Sequence, residues 1–118
     1  MINTITIKSP FEFQKVINKG QWYGSNFFSI YILPNKEKYN KIGLGIGKKV
    51  GKANKRNRVK RLIREAYKEI EIENKLNYGY NIVFIWKSKA KFEDLTFEKT
   101  KNDIDRVFNK ALLYSEVV

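Results

Sequence analysis

Between Gly47 and Arg64 the sequence places nine cations, Lys48, Lys49, Lys52, Lys55, Arg56, Arg58, Lys60, Arg61 and Arg64, and no acid appears until Glu65. Such a cluster does polyanion chemistry, because ammonium groups neutralise phosphates and the flat guanidinium fork grips them through paired donors. The arginines are the informative part. The chain has five, and four of them fall within positions 56–64, although lysine is the cation almost everywhere else. A lysine point charge cannot reproduce the fork, so arginine is selected here for phosphates or base edges. Asn57, between Arg56 and Arg58, adds a hydrogen-bond acceptor and donors suited to an RNA backbone and its 2′-hydroxyls.

These side chains need a rigid platform, and the same stretch supplies it. Val59, Leu62, Ile63, Ala66, Tyr67 and Ile70 recur at spacings of three and four, which predicts a helix from about residue 52 to 73 with one buried stripe. At about 100° per residue, Asn57, Arg61, Arg64 and Lys68 project to the far side, with Arg58 and Lys60 on the flanks. Lys52, Lys55 and Arg56 lie nearer the apolar side in the first turn, so the helix must overhang the rest of the fold and leave them free at a rim. Its unpaired amides and positive dipole end add to the attraction for anions.

A solvated basic face, a calmodulin-target helix and a membrane-surface helix share this charge pattern. A small domain needs the apolar stripe for its own core, which removes it from lipid or a calmodulin groove.

Composition narrows the rest. The 118 residues suit one domain, 1–118, with one modest core; the net charge is +12 and the pI about 9.9. With no Cys and no His, thiolate chemistry and the commonest general base and metal ligand are excluded. Catalytic residues in the protein are expected to be none, and likewise protein metal ligands. The first eight residues lack a signal pattern and no apolar run is long enough to span a bilayer, so a cytoplasmic protein with no membrane partner is expected.

Around the basic helix, Ser9, Pro10 and Glu12 predict a helix start with a capping box, followed by Phe13, Val16 and Ile17 on one face and a stop at Gly20. Residues 27–33 and 41–47 predict two strands joined as an antiparallel hairpin, the second with Ile42, Leu44 and Ile46 on one face and Gly43, Gly45 and Gly47 on the other. The glycine face fits either close approach of a ligand or a helix packed on top. Residues 80–86 are almost unbrokenly apolar, as in a strand buried on both faces. A last helix from Thr96 or Phe97 is expected to bury Phe97, Ile104, Val107, Phe108, Ala111 and Leu112. The order helix, strand, strand, helix, strand, helix makes an α+β sandwich on a mixed sheet.

The pattern Lys48, Lys49, Gly51, Ala53, Arg56, Asn57, Arg58, Lys60, Arg61, Arg64 resembles the signature of the bacterial ribonuclease P protein family. Phe11 to Val16 with Gly20, Phe28 and Tyr31, the Gly43-Leu44 strand and Leu95-Thr96 follow in the family's order and spacing. The resemblance implies a ribosomal protein S5 domain 2-like fold whose strand-helix-strand crossover is left-handed, against a general rule of about 98% right-handed connections.

It also implies a function. The protein would bind a catalytic RNA and the 5′ leader of precursor tRNA, and would assist removal of that leader by hydrolysis at Mg²⁺ held mainly by the RNA and the substrate. No protein partner would be required. Carried over by position, Lys48, Lys49, Lys52, Arg58, Arg61, Arg64 and Lys68 would contact the catalytic RNA, while Phe13, Ile17, Tyr31, Arg56, Asn57 and Lys60 would take the leader. Ile17 departs from the family, which often has a second aromatic there; an aliphatic group cannot stack on a base. Tyr31, Ser29 and Phe27 would lie beside the glycines and make a shallow floor. Two rivals are a ribosomal or other structured-RNA protein, and a nuclease acting through Asp94, Glu98 and Asp103.

Overall fold

The run 80–86, apolar on both faces, takes the centre of the sheet, and the rest of the fold is arranged around that fact. In the computed structural model, which describes residues 1–73 and 76–115, the elements in chain order are β1 (Thr4–Thr6), α1 (Pro10–Lys19), β2 (Gln21–Gly24), β3 (Phe28–Pro34), β4 (Asn40–Gly45), α2 (Ala53–Glu73), β5 (Tyr80–Trp86) and α3 (Phe97–Lys110). Short 3-10 turns occupy Lys48–Val50 and Phe92–Asp94. The sheet order is β1-β4-β5-β3-β2, with β4 parallel to β1 and β5, and β3 antiparallel to β5 and β2. This is an α+β fold on a mixed five-stranded sheet. All six expected elements are present.

Several details differ from the sequence expectation. β3 and β4 are not a hairpin, because β5 lies between them and bonds to both. β4 ends at Gly45, and the chain then turns toward α2. β1 and β2 are additional short strands at the two edges. Phe27 does not join the floor: it is buried in the main core, tilted against Trp86 and Phe28.

α2 and α3 cover one face of the sheet. Every member of the α2 stripe is buried there, together with Phe28, Ile30, Ile32, Ile42, Ile82 and Phe84. α1 covers part of the other face, where Val16 is fully buried on Val83 in a second, smaller cluster with Phe13, Ile17, Tyr31, Leu33 and Ile85. Glycine permits this contact: a methyl group at Gly43 would sit 2.8 Å from the Phe13 ring. The helix-on-top reading of the glycine face is therefore the right one for Gly43.

Ser9 caps α1 as expected, its Oγ accepting from the Glu12 amide at 3.3 Å. The reciprocal half of the capping box is absent, because the Glu12 carboxylate instead accepts from Lys41 Nζ at 3.0 Å and draws that ammonium's pKa upward. At the other end, α3 closes in a Schellman motif. Leu112 takes the left-handed conformation (φ 59°), the Leu112 amide donates to Asn109 and the Leu113 amide to Phe108. This breaks the helical phase, so Leu113 is buried and Leu112, expected inside, is exposed.

A polar network ties β1 to the core. The buried Glu71 carboxylate accepts from the amides of Ile2 (2.6 Å) and Asn3 (3.2 Å), from the Thr4 hydroxyl (2.8 Å) and from the Tyr78 hydroxyl (3.1 Å). Since Thr4 donates to Glu71, it accepts from Tyr67, which in turn accepts from Asn40. Burial pushes the Tyr67 hydroxyl up to about 12, and burial next to Glu71 does the same for Tyr78. Both remain protonated donors. Among the described residues no helix is long and apolar enough to cross a membrane.

Candidate nucleic-acid interface

The basic segment begins where β4 ends. Gly47 leads into the turn Lys48–Val50, Gly51 adopts φ 137°, and α2 starts at Ala53. That left-handed glycine bends the chain sharply enough to launch the helix from the end of a strand. The first turn of α2 holds no acidic residue, so nothing within the helix competes for its amides or its dipole.

Lys48, Lys49, Lys52, Asn57, Arg58, Arg61, Arg64 and Lys68 are exposed, and Arg56 and Lys60 are half-buried. Among the described residues no carboxylate lies within ion-pair distance of any of these cations, whereas Lys41, Lys101 and Arg106 all have partners. Unneutralised charge of one sign on one face focuses the field and draws in polyanions. Lys55 is the exception within the segment. It was expected to stand free at the rim, but its Nζ lies 3.7 Å from Glu93 and 5.3 Å from the centre of the Phe92 ring, which fastens the start of α2 to the turn Phe92–Asp94.

The second surface is the α1 side of the sheet. Cross-strand register places Gly43, Val83, Tyr31 and Trp22 in one row and Gly45, Ile85, Ser29 and Gly24 in the next. α1 sits over the first row and brings Phe13, Ile17 and Tyr31 together, all half-buried. The second row is left partly open: Gly45, Ile85 and Ser29 are half-buried and Gly24 is exposed. The result is a shallow trough with an aromatic wall of Phe13, Tyr31 and Trp22. Its floor corrects the expected one, since Val83 and Ile85 of β5 separate the β3 side chains from the β4 glycines.

The sequence-derived leader residues thus fall into two groups. Phe13, Ile17 and Tyr31 pack against the same small buried cluster on the sheet, and Arg56, Asn57 and Lys60 lie on the first turns of α2, reached from the trough's Gly45 end through the turn Lys48–Val50. Ile85 was not assigned from the sequence, and Ser29 was placed on the floor beside the wrong strand; the register sets both in this trough together with Trp22. Asp103, offered as a nuclease carboxylate, is buried and accepts from the Phe27 amide at 2.9 Å, which makes it a support for the turn before β3.

Three comparisons bear on this pair of surfaces. Residues 1–112 match the family model Ribonuclease P. The chain is 44% identical over 111 residues to the ribonuclease P protein component of Clostridioides difficile, covering 94% of this chain and 91% of that one. It is 41% identical over 108 residues to that of Fusobacterium nucleatum, covering 90% and 96%. Among solved structures it superposes on the RNase P protein of Staphylococcus aureus with a TM-score of 0.78 at 28% identity, over 93% of this chain and 97% of the other.

Proposed function

The chain belongs to the ribonuclease P protein family, and on that premise we propose that it binds the catalytic RNA through α2 and the 5′ leader of precursor tRNA in the trough, assisting Mg²⁺-dependent removal of the leader. The observation that carries this reading is the exposed run of cations on α2, unpaired among the described residues, beginning at one end of an aromatic-walled trough. Long-range phosphate attraction and short-range base stacking call for different surfaces, and the two lie next to each other here.

In this reading Lys48, Lys49, Lys52, Arg58, Arg61, Arg64 and Lys68 neutralise phosphates of the catalytic RNA, and each contact made releases counterions. Phe13 and Tyr31 offer ring faces to unstacked leader bases, with Arg56, Asn57 and Lys60 holding the backbone where the trough meets α2. Ile17 packs against the same buried cluster as Tyr31 and does not stack. Phosphodiester hydrolysis belongs to the RNA with Mg²⁺ bound by RNA and substrate. The protein's part in this reading is charge and orientation.

Cleavage by the reconstituted enzyme at limiting Mg²⁺ tests this function. Rates should rise when the protein is added and converge with the RNA-alone rates as Mg²⁺ is increased; identical rates at limiting Mg²⁺ would refute the proposal. A second measurement separates the two surfaces. Tyr31→Ala should leave affinity for the catalytic RNA unchanged while reducing the preference for leader-bearing over mature tRNA by about tenfold, the value of one stacked base. Equal losses on both ligands would mean that the trough has no separate role.

A further inference from the structure

The aromatic row does not stop at Tyr31. Trp22 is its partner across β2 and β3, so it shares the α1 side of the sheet. Its side chain is 53% exposed, unusual for a residue that folding normally hides. The indole leans along its own strand: a methyl group at Gly24 would lie 2.9 Å from Trp22 Cη2 and Cζ2, and 3.6 Å from Lys87 Nζ. Ring and ammonium therefore converge on the space above Gly24, which has no side chain to part them.

Lys87 is fixed in that position by donating to the Ser25 carbonyl at 2.6 Å, which leaves two of its three donors for another acceptor. Just beyond it, Asn26, Ser88 and Lys89 line an open cleft with Lys87. A flat apolar ring beside a fixed cation is the pairing that single-stranded nucleic acid uses, the ring for a base and the cation for its phosphate. From β4 to β2 the trough crosses three strand spacings, about 14 Å, which is long enough for more than one nucleotide. Ile17 offers this face only an aliphatic group, so the exposed ring at the β2 edge supplies stacking area that α1 does not.

We propose that Trp22 and Lys87 form a second base-and-phosphate position for single-stranded RNA at the β2 edge, onto which the 5′ leader runs after passing Tyr31. The proposal rests on the leader reading of the trough, and its test separates the two. Holoenzyme reconstituted with the catalytic RNA is titrated with precursor tRNAs whose leaders are lengthened one nucleotide at a time, using the natural chain, Trp22→Ala, Trp22→Phe and Tyr31→Ala.

Trp22→Ala should match the natural chain on short leaders and fall behind by about tenfold once the leader reaches the β2 edge, with most of the loss restored in Trp22→Phe. Lys87→Ala should reproduce the length threshold with a smaller loss. A Trp22→Ala curve that follows the natural chain at every length, while Tyr31→Ala is leader-dependent, overturns the Trp22 position and leaves the trough standing. A Trp22→Ala loss that is the same for mature tRNA overturns it as well. If neither Trp22→Ala nor Tyr31→Ala shows any leader dependence, the trough itself is not the leader site.

Discussion

Replacing Arg58, Arg61 and Arg64 together with alanine should weaken binding of the catalytic RNA by about a hundredfold near physiological salt. A phosphate contact adds about 0.7–0.9 to the slope of log affinity against log salt. Referred to 1 M salt, that corresponds to about fivefold per contact at 0.15 M, and three contacts multiply. The slope itself should flatten by about 2–3. All three side chains are exposed and none has a carboxylate partner among the described residues, so the variant should melt within a degree or two of the natural chain. Replacing the three by lysine should keep the slope and lose only part of the affinity, because the charge survives and the bidentate fork does not. An unchanged slope in the alanine variant would show that α2 does not face phosphates at all.

Glu71→Ala should strongly destabilise the fold, by as much as truncating a core side chain. It removes the acceptor of two backbone amides and two hydroxyls, four donors that meet at one buried carboxylate. An orphaned buried donor costs about 1–3 kcal/mol. The loss is limited, however, because β1 can peel away and hydrate its own amides. A net cost of about 3 kcal/mol is expected, which for a domain of this size lowers the melting temperature by about 10 °C. Hydrogen exchange should then show the amides of Ile2, Asn3 and the β1 residues opening well before those of β5. Full protection of β1 in the variant would mean that strand pairing with β4 suffices, and that the carboxylate is not its anchor.

The parts of this fold that were legible in the sequence are those where apolar periodicity and burial agree. The α2 stripe and the almost wholly apolar β5 belong here, and so does the cation cluster, which needs only the helical repeat to be placed. β1 was invisible for a physical reason: it buries Thr4 and exposes Ile5, reversing the usual pattern. Its inward face answers to the Glu71 network and not to a hydrophobic surface. The supposed hairpin failed because loop length alone cannot say that a later strand will insert between two earlier ones. Leu112 and Leu113 exchanged places because a left-handed residue resets the phase of a helix, and leucine gives no warning of that conformation. Of the trough, Phe13, Tyr31 and Ser29 could be named in advance, but the place of Trp22 opposite Tyr31 came only from the strand register.

The anchoring of β1 also sets an order of events during synthesis. β1 leaves the ribosome before both of its supports: it pairs with residues 40–42, and the carboxylate that holds it comes almost seventy residues later. At about 5–20 residues per second the N-terminal segment waits several seconds for its partner. Until residues 40–42 and then Glu71 are made, β1 lacks first its strand partner and then its anchor. β1 is made early and completed late, so a nascent chain stalled before Glu71 should be open to proteolysis around residues 1–6.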